Sequence, residues 1–178
     1  MPGLEDEGFS KSVIYMCEHT ERGALGLMIN KPSDINLKKL FDKVELPLDR
    51  SDLSDALVFQ GGPVQTERGF VLHESMMPGL EAVYASTMSI PGGLEMTTSK
   101  DVLEALSSGN GPKKVFVSLG YSAWGEGQLE SEISDNSWLT VAADIAVIFD
   151  TPVEERYARA MGLLGLESWM LSPDAGHA

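Results

Sequence analysis

Apolar residues fall into short runs separated by glycines, prolines and acidic clusters. Ser12 to His19, with Val13, Ile14, Tyr15 and Met16 apolar on both faces, predicts a strand. Glu21-Arg22-Gly23 is a turn and Ala24 to Asn30 a returning strand, so the pair reads as a hairpin. Lys31-Pro32 stops it, and Ser33 or Asp34 then caps a short helix with Leu37, Leu40, Phe41 and Val44 at helical spacing. Residues 45–55 read as an exposed acidic loop. Strands follow at Ala56 to Gln60, ended by Gly61-Gly62-Pro63, at Gly69 to Glu74 and at Ala82 to Ile90. Thr97, Thr98 and Ser99 precede a helix from about Lys100 to Leu106, with Gly109 placed for a left-handed C-terminal cap. Lys114 to Leu119 is an apolar strand covered on both faces, and Gly125 to about Ser134 is helical. Trp138 to Ala142 and Ile145 to Phe149 read as the last strands, hinged at Asp144. Thr151, Pro152 and Glu154 start a final helix whose buried stripe is Tyr157, Ala160, Met161 and Leu164. About eight strands and four helices in mixed order give an α+β class, in one domain over residues 1–178.

Charge narrows the function classes. The chain has 178 residues, 27 of them acidic and 13 basic, for a net charge of −14. Such a surface repels nucleic-acid backbones and anionic lipid, so direct nucleic-acid binding is disfavoured and no membrane partner is expected. Lys38, Lys39 and Lys43, and Lys100, Lys113 and Lys114, are the two concentrations of basic charge that could oppose this. No apolar run reaches the ~20 residues of a membrane span, and no basic-then-apolar leader opens the chain. Cys17 is the only cysteine, which excludes an internal disulfide and fits a reducing cytoplasm. Residues 1 to about 8, acidic and containing Pro2, Gly3 and Gly8, are expected to be poorly ordered.

Three groups of residues could carry chemistry. Cys17-Glu18-His19 ends the first strand, where a period of two puts Cys17 and His19 on one face and Glu18 on the other. A thiol and an imidazole there, joined by His73, could form a nucleophile–base pair or part of a metal site. Two or three such ligands fall short of a closed zinc site, so no metal is expected and Cys17 reads first as a packed thiol. The stretch Gly120 to Glu130 places Tyr121 and Trp124 among glycines in what reads as a strand-to-helix turn. Trp124 stands where a nucleophile elbow needs glycine, and Glu126, Glu130 and Glu132 oppose an anion there. Glu126 and Glu130 read as a solvated helix face, and Trp124 as a residue sealing the core. Gly61-Gly62-Pro63 and Asn30-Lys31-Pro32 are turn and stop signals whose residues could also gather at strand ends.

These motifs together resemble the AlgH/YqgE family. The resemblance rests on Phe9-x-x-Ser12-Val13-Ile14-Tyr15, Cys17-Glu18-His19, Gly23-Ala24-x-Gly26 and Asn30-Lys31-Pro32. It continues through Gly61-Gly62-Pro63-Val64, Gly69-Phe70-Val71-Leu72-His73, Thr97-Thr98-Ser99-x-Asp101-Val102-Leu103 and Gly120-Tyr121-x-x-Trp124-Gly125-x-Gly127-Gln128-Leu129-Glu130-x-Glu132-Ile133. Asn136-Ser137-Trp138 and Gly176-His177-Ala178 complete it. It implies bifurcated, strongly coiled, mostly antiparallel β-sheets, partly closed like a barrel and flanked by helices. It implies no catalytic mechanism and no cofactor; members are mostly uncharacterised bacterial proteins, some carrying a transcriptional-regulator label. Relatives generally carry a strand before the Met1-Pro2 that opens this sequence, so either the start lies further upstream or that strand is missing and its neighbour's edge is exposed.

The expected function is regulatory binding of a protein or small-molecule partner, without turnover. Candidate residues are Cys17, Glu18, His19, Asn30, Lys31, Gly61, Gly62, His73, Tyr121, Trp124, Gln128 and Glu130. The competing expectation is an enzyme or thiol redox sensor built on Cys17, His19 and His73.

Overall fold

The structure is a computed structural model and describes residues 10–75 and 83–165. The expectation of disorder over residues 1 to about 8 and the closing Gly176-His177-Ala178 motif lie outside them. Strands β1 (Ile14–Thr20) and β2 (Gly23–Met28) form the expected antiparallel hairpin. β3 (Pro32–Asn36), α1 (Leu37–Lys43), β4 (Leu57–Gln60) and β5 (Val64–Glu74) follow. Then come β6 (Thr87–Ile90), β7 (Leu94–Thr97), α2 (Asp101–Ser107) and β8 (Val115–Trp124). α3 (Gln128–Ser134), α4 (Ile145–Phe149) and α5 (Arg156–Leu163) close the described chain.

The expected α+β class holds. The sheet runs β1-β2-β8-β5-β7-β6, mostly antiparallel and nearly closed as a barrel, with five α-helices among the described residues. β8 is where the sheet divides. One edge pairs with β5 over Val115–Tyr121, with an irregularity between Val64 and Gly69; the other pairs in parallel with β4 over Val117–Leu119 and antiparallel with β2 over Ser122–Trp124. Gly61 and Gly62 make this crossing possible. A Cβ on Gly61 would sit 2.3 Å from the Gly120 carbonyl oxygen, and one on Gly62 would sit 2.2 Å from the Tyr121 carbonyl carbon. The Gly61 carbonyl then accepts from Met28 N–H and from the Ser122 hydroxyl, tying three strands together. Gly62→Ala is expected to cost about 1–3 kcal/mol by forcing backbone apart, read as a lowered urea midpoint at constant slope; an unchanged midpoint would refute the close approach.

Among the described residues three apolar clusters fill the fold. The largest, inside the barrel, includes Tyr15, Cys17, Leu27, Phe59, Phe70, Leu72 and Phe116. The second lies under α1 and α2 and includes Phe41, Val71, Tyr84, Val102 and Leu106. The third is smaller, joining Ala24, Trp124 and Leu129 with Ile14, Ile133 and Trp138 packed against them.

Several expected elements change identity. Ser33 and Asp34 lie in β3, and the helix after it is capped by Asn36, whose side chain accepts from Lys39 N–H. β7 was not expected, because its Thr97 reads as part of a helix cap; all four of its residues are buried. Of the expected strand Ala82 to Ile90, Thr87–Ile90 is strand, and Ala82 lies outside the described residues. Residues 120–124 continue β8 instead of turning. Residues 138–142 form no regular element, and Ile145–Phe149 is a helix capped by the Asp144 carboxylate on Ala146 N–H. Gly109 takes the expected left-handed conformation, with Asn110 N–H returning to Ala105 to close α2.

Candidate functional site

The candidates on β1 separate because the strand bulges. Met16 pairs with Gly26 and Glu18 with Leu25, leaving Cys17 as an extra residue. Cys17 therefore packs inward beside Tyr15 and Leu27, whereas His19 pairs with Ala24 on the face of the third cluster. The expected common face of Cys17 and His19 is corrected by that bulge. His73 is in a third place. It is fully buried on the Val71 face of β5, edge-on to Tyr84. Its Nδ1–H donates to the Glu74 carbonyl at 2.9 Å and its Nε2 hydrogen-bonds the Thr97 hydroxyl at 2.8 Å. Among the described residues no three His, Cys, Asp or Glu side chains are grouped to hold a metal.

Burial pushes the Cys17 thiol up to about 12. The thiolate is the nucleophile, so a buried Cys17 is expected to react slowly at neutral pH. Iodoacetamide labelling of the folded protein at pH 7.5 is expected to be slow and to accelerate on unfolding in urea; fast labelling without unfolding would contradict the burial. The raised value carries a second consequence. The unfolded thiol ionises from about pH 9 and the folded one only near 12, so this contribution is intact below pH 9 and declines above it.

Other candidates serve the frame. The Asn30 side chain accepts from Val13 N–H and donates to the Lys11 carbonyl, and Lys31 Nζ donates to the Ser10 carbonyl. Together they fix the approach to β1. Tyr121 packs edge-on to Phe70 in the barrel core. Glu18 is exposed and Gly61 and Gly62 hold the crossing already described.

The remaining four, His19, Trp124, Gln128 and Glu130, meet around α3. Gly127 in the left-handed conformation precedes the helix, and Gln128 Oε1 accepts from Gly125 N–H. His19 Nε2 and Glu130 Oε1 are 2.5 Å apart at the exposed rim. Two residues that sequence reasoning did not select organise the centre. Glu132 Oε2 accepts from the indole N–H of Trp124 at 2.9 Å and of Trp138 at 2.7 Å, while Oε1 accepts from Gln128 at 3.0 Å. Burial works to raise the Glu132 carboxyl, but the bonds from Trp138, Gln128 and Trp124 outweigh it and hold the group below the usual carboxylate range.

Trp138 reaches this position through the end of α3. Asn136 adopts a left-handed conformation, its N–H returns to Ile133, and Ser137 N–H returns to Glu132. These two bonds are the paired closure of a Schellman motif, which folds the chain back so that Trp138 meets Trp124. The indoles stand edge to face, centroids 5.7 Å apart at 75°. The spacing Gln128 to Glu132, one helical turn, was the available sequence signal for the carboxylate.

Beside the indoles opens a cleft of about 160 Å³ between β1, α3, residues 138–141 and α5. Ile14 and Met16, Leu129 and Ile133, and Ala160 and Met161 supply its walls, with Tyr157 from α5 as a third aromatic. Met16, Leu139 and Val141 around it are among the exposed large apolar residues. The arrangement suits capture of an apolar group, and among the described residues its lining holds no nucleophile–base pair.

A divided, barrel-like sheet with an aromatic cleft at its hairpin end defines the α+β class of the protein. Residues 1–169 match the AlgH-like family DUF179, and the chain belongs to that family. A UPF0301 protein of Polaromonas sp. (strain JS666) is 85% identical over 178 residues, covering 100% of this chain and 91% of that protein. One from Variovorax paradoxus is 74% identical over 182 residues, covering 100% and 92%. The solution structure of AlgH from Pseudomonas aeruginosa is similar with a TM-score of 0.78 and 47% identity, over 100% of this chain and 92% of that one. A protein of Corynebacterium diphtheriae shares the fold at 21% identity and a TM-score of 0.68, over 90% and 81%. Among the described residues no helix is long and apolar enough to cross a membrane.

Proposed function

We propose that this protein is a cytoplasmic regulatory protein that acts by binding, without turnover, and that a small molecule or an apolar side chain of a partner protein occupies the cleft at Trp124 and Trp138. The observation that carries this reading is the cleft itself: an apolar opening of about 160 Å³ walled by β1, α3 and α5. An engineered cavity of about 150 Å³ takes a benzene ring, so the space suits one ring or one branched side chain. Met16, Leu139 and Val141 gain cover when it is filled. Any regulation of transcription runs through that bound partner, because −14 of net charge opposes direct contact with DNA. The alternative of an enzyme or redox sensor gains no support from Cys17, His19 and His73 lying in three separate environments.

Toluene, titrated while the indole N–H resonances are followed by NMR, tests the reading. Saturable shifts at Trp124 and Trp138 are expected in the wild type and not in Ala160→Phe, which fills the cleft. Shifts that survive in a folded Ala160→Phe variant, or that centre on Cys17 or His73, would overturn it.

A further inference from the structure

On the reading that ligands enter this cleft, its walls define which ones. Trp124, Trp138 and Tyr157 line it, and among the described residues no lysine, arginine or histidine does. The two indoles stand edge to face at 75° and both line the cleft, so one rounded group can reach both rings. Each indole N–H donates to the same oxygen of Glu132, a carboxylate kept ionised by those bonds. A hydrogen bond to an anion pushes electron density back into the ring that donates it. The indole rings that line the cleft are therefore more electron-rich than a free indole. Aromatic faces attract cations through their quadrupole, and most strongly where water is excluded. An anionic ligand would meet no basic side chain among the described wall residues and a net charge of −14 around them.

We propose that the cleft binds an organic cation of the alkylated-ammonium class, with its methylated nitrogen against Trp124 and Trp138. The charge stays diffuse over the methyl groups, which is why an apolar cleft accepts it where it would reject a strongly hydrated ammonium. The volume of about 160 Å³ holds a trimethylammonium head with a short chain.

Three probes of nearly the same shape test the charge alone: choline, its neutral counterpart 3,3-dimethyl-1-butanol, and the anion 3,3-dimethylbutanoate. Each is titrated into the full chain at constant ionic strength while the Trp124 and Trp138 indole signals are followed. Choline is expected to bind about tenfold tighter than the alcohol, and the carboxylate most weakly. Glu132→Gln is expected to shrink the choline preference to about threefold or less. Equal or tighter binding of the alcohol would overturn the proposal while leaving the cleft a plain apolar site. Failure of all three probes to move either indole signal would overturn both this proposal and the reading beneath it.

Discussion

Trp124→Ala is expected to lower the stability of the folded protein by about 3–5 kcal/mol, the usual cost of emptying a buried tryptophan site. Trp124 is 7% exposed and packs with Ala24 and Leu129 where β2, β8 and α3 meet. Removing it deletes the edge-to-face contact with Trp138 and one of the three side-chain donors on Glu132. Glu132 has its pKa held below the ordinary carboxylate value, so its contribution is present above about pH 4.5 and lost as pH falls through the folded value. The variant's deficit should therefore narrow in acid. Urea unfolding at pH 7 and at pH 3.5 reads both effects. An unchanged midpoint at pH 7 with lost ligand binding would make Trp124 a recognition residue with no part in holding the third cluster.

Arg156→Ala is expected to cost about 3–4 kcal/mol, from lost bonds to buried carbonyls and a lost ring contact. Arg156 is 8% exposed, and its Nη1 donates to the Ile29 carbonyl at 2.5 Å while its Nε donates to the Thr151 carbonyl at 3.0 Å. Its guanidinium lies 4.9 Å from the Phe59 ring centroid and 5.9 Å from that of Phe116. Burial holds its pKa below the usual value, so part of the favourable contact offsets the cost of a desolvated charge. Arg156→Met keeps the stem against those rings without the charge, and should recover about half of the loss. Thermal or urea unfolding of both variants checks this. A loss below about 1 kcal/mol in the alanine variant would show that α5 is held to the barrel by other contacts.

The hairpin and the first half of β8 were legible because local patterning agreed with tertiary placement. The last helix was legible in its stripe and not in its start: Thr151 donates to the Ala146 carbonyl, and α5 begins at Arg156 without a side-chain cap. Ile145–Phe149 was not. Five apolar residues, several β-branched, read as a strand, yet the Asp144 cap and burial of Val147 and Ile148 against the barrel make one helical turn. β7 was hidden because its meaning comes from β5 and β6 on either side of it. The same division holds for the site. Trp124 and Gln128 stood out through the glycines around them, and the period-two rule failed at Cys17 because a bulge is invisible to periodicity. Trp138 joined the site through a helix-end reversal at Asn136, and α5 brought Tyr157 and Ala160 from far along the chain. Neither convergence leaves a local pattern.

The central claim is that binding occurs at the aromatic cleft and not at Cys17 or His73. The most direct measurement incubates the protein with a small-molecule extract of bacterial cells, removes unbound material by ultrafiltration and identifies retained compounds by mass spectrometry. Wild type, Cys17→Ser, His73→Gln and Ala160→Phe are run in parallel, each shown to be folded. A compound retained by the first three and lost from Ala160→Phe is the predicted result. A compound that Ala160→Phe keeps and either Cys17→Ser or His73→Gln loses would contradict it.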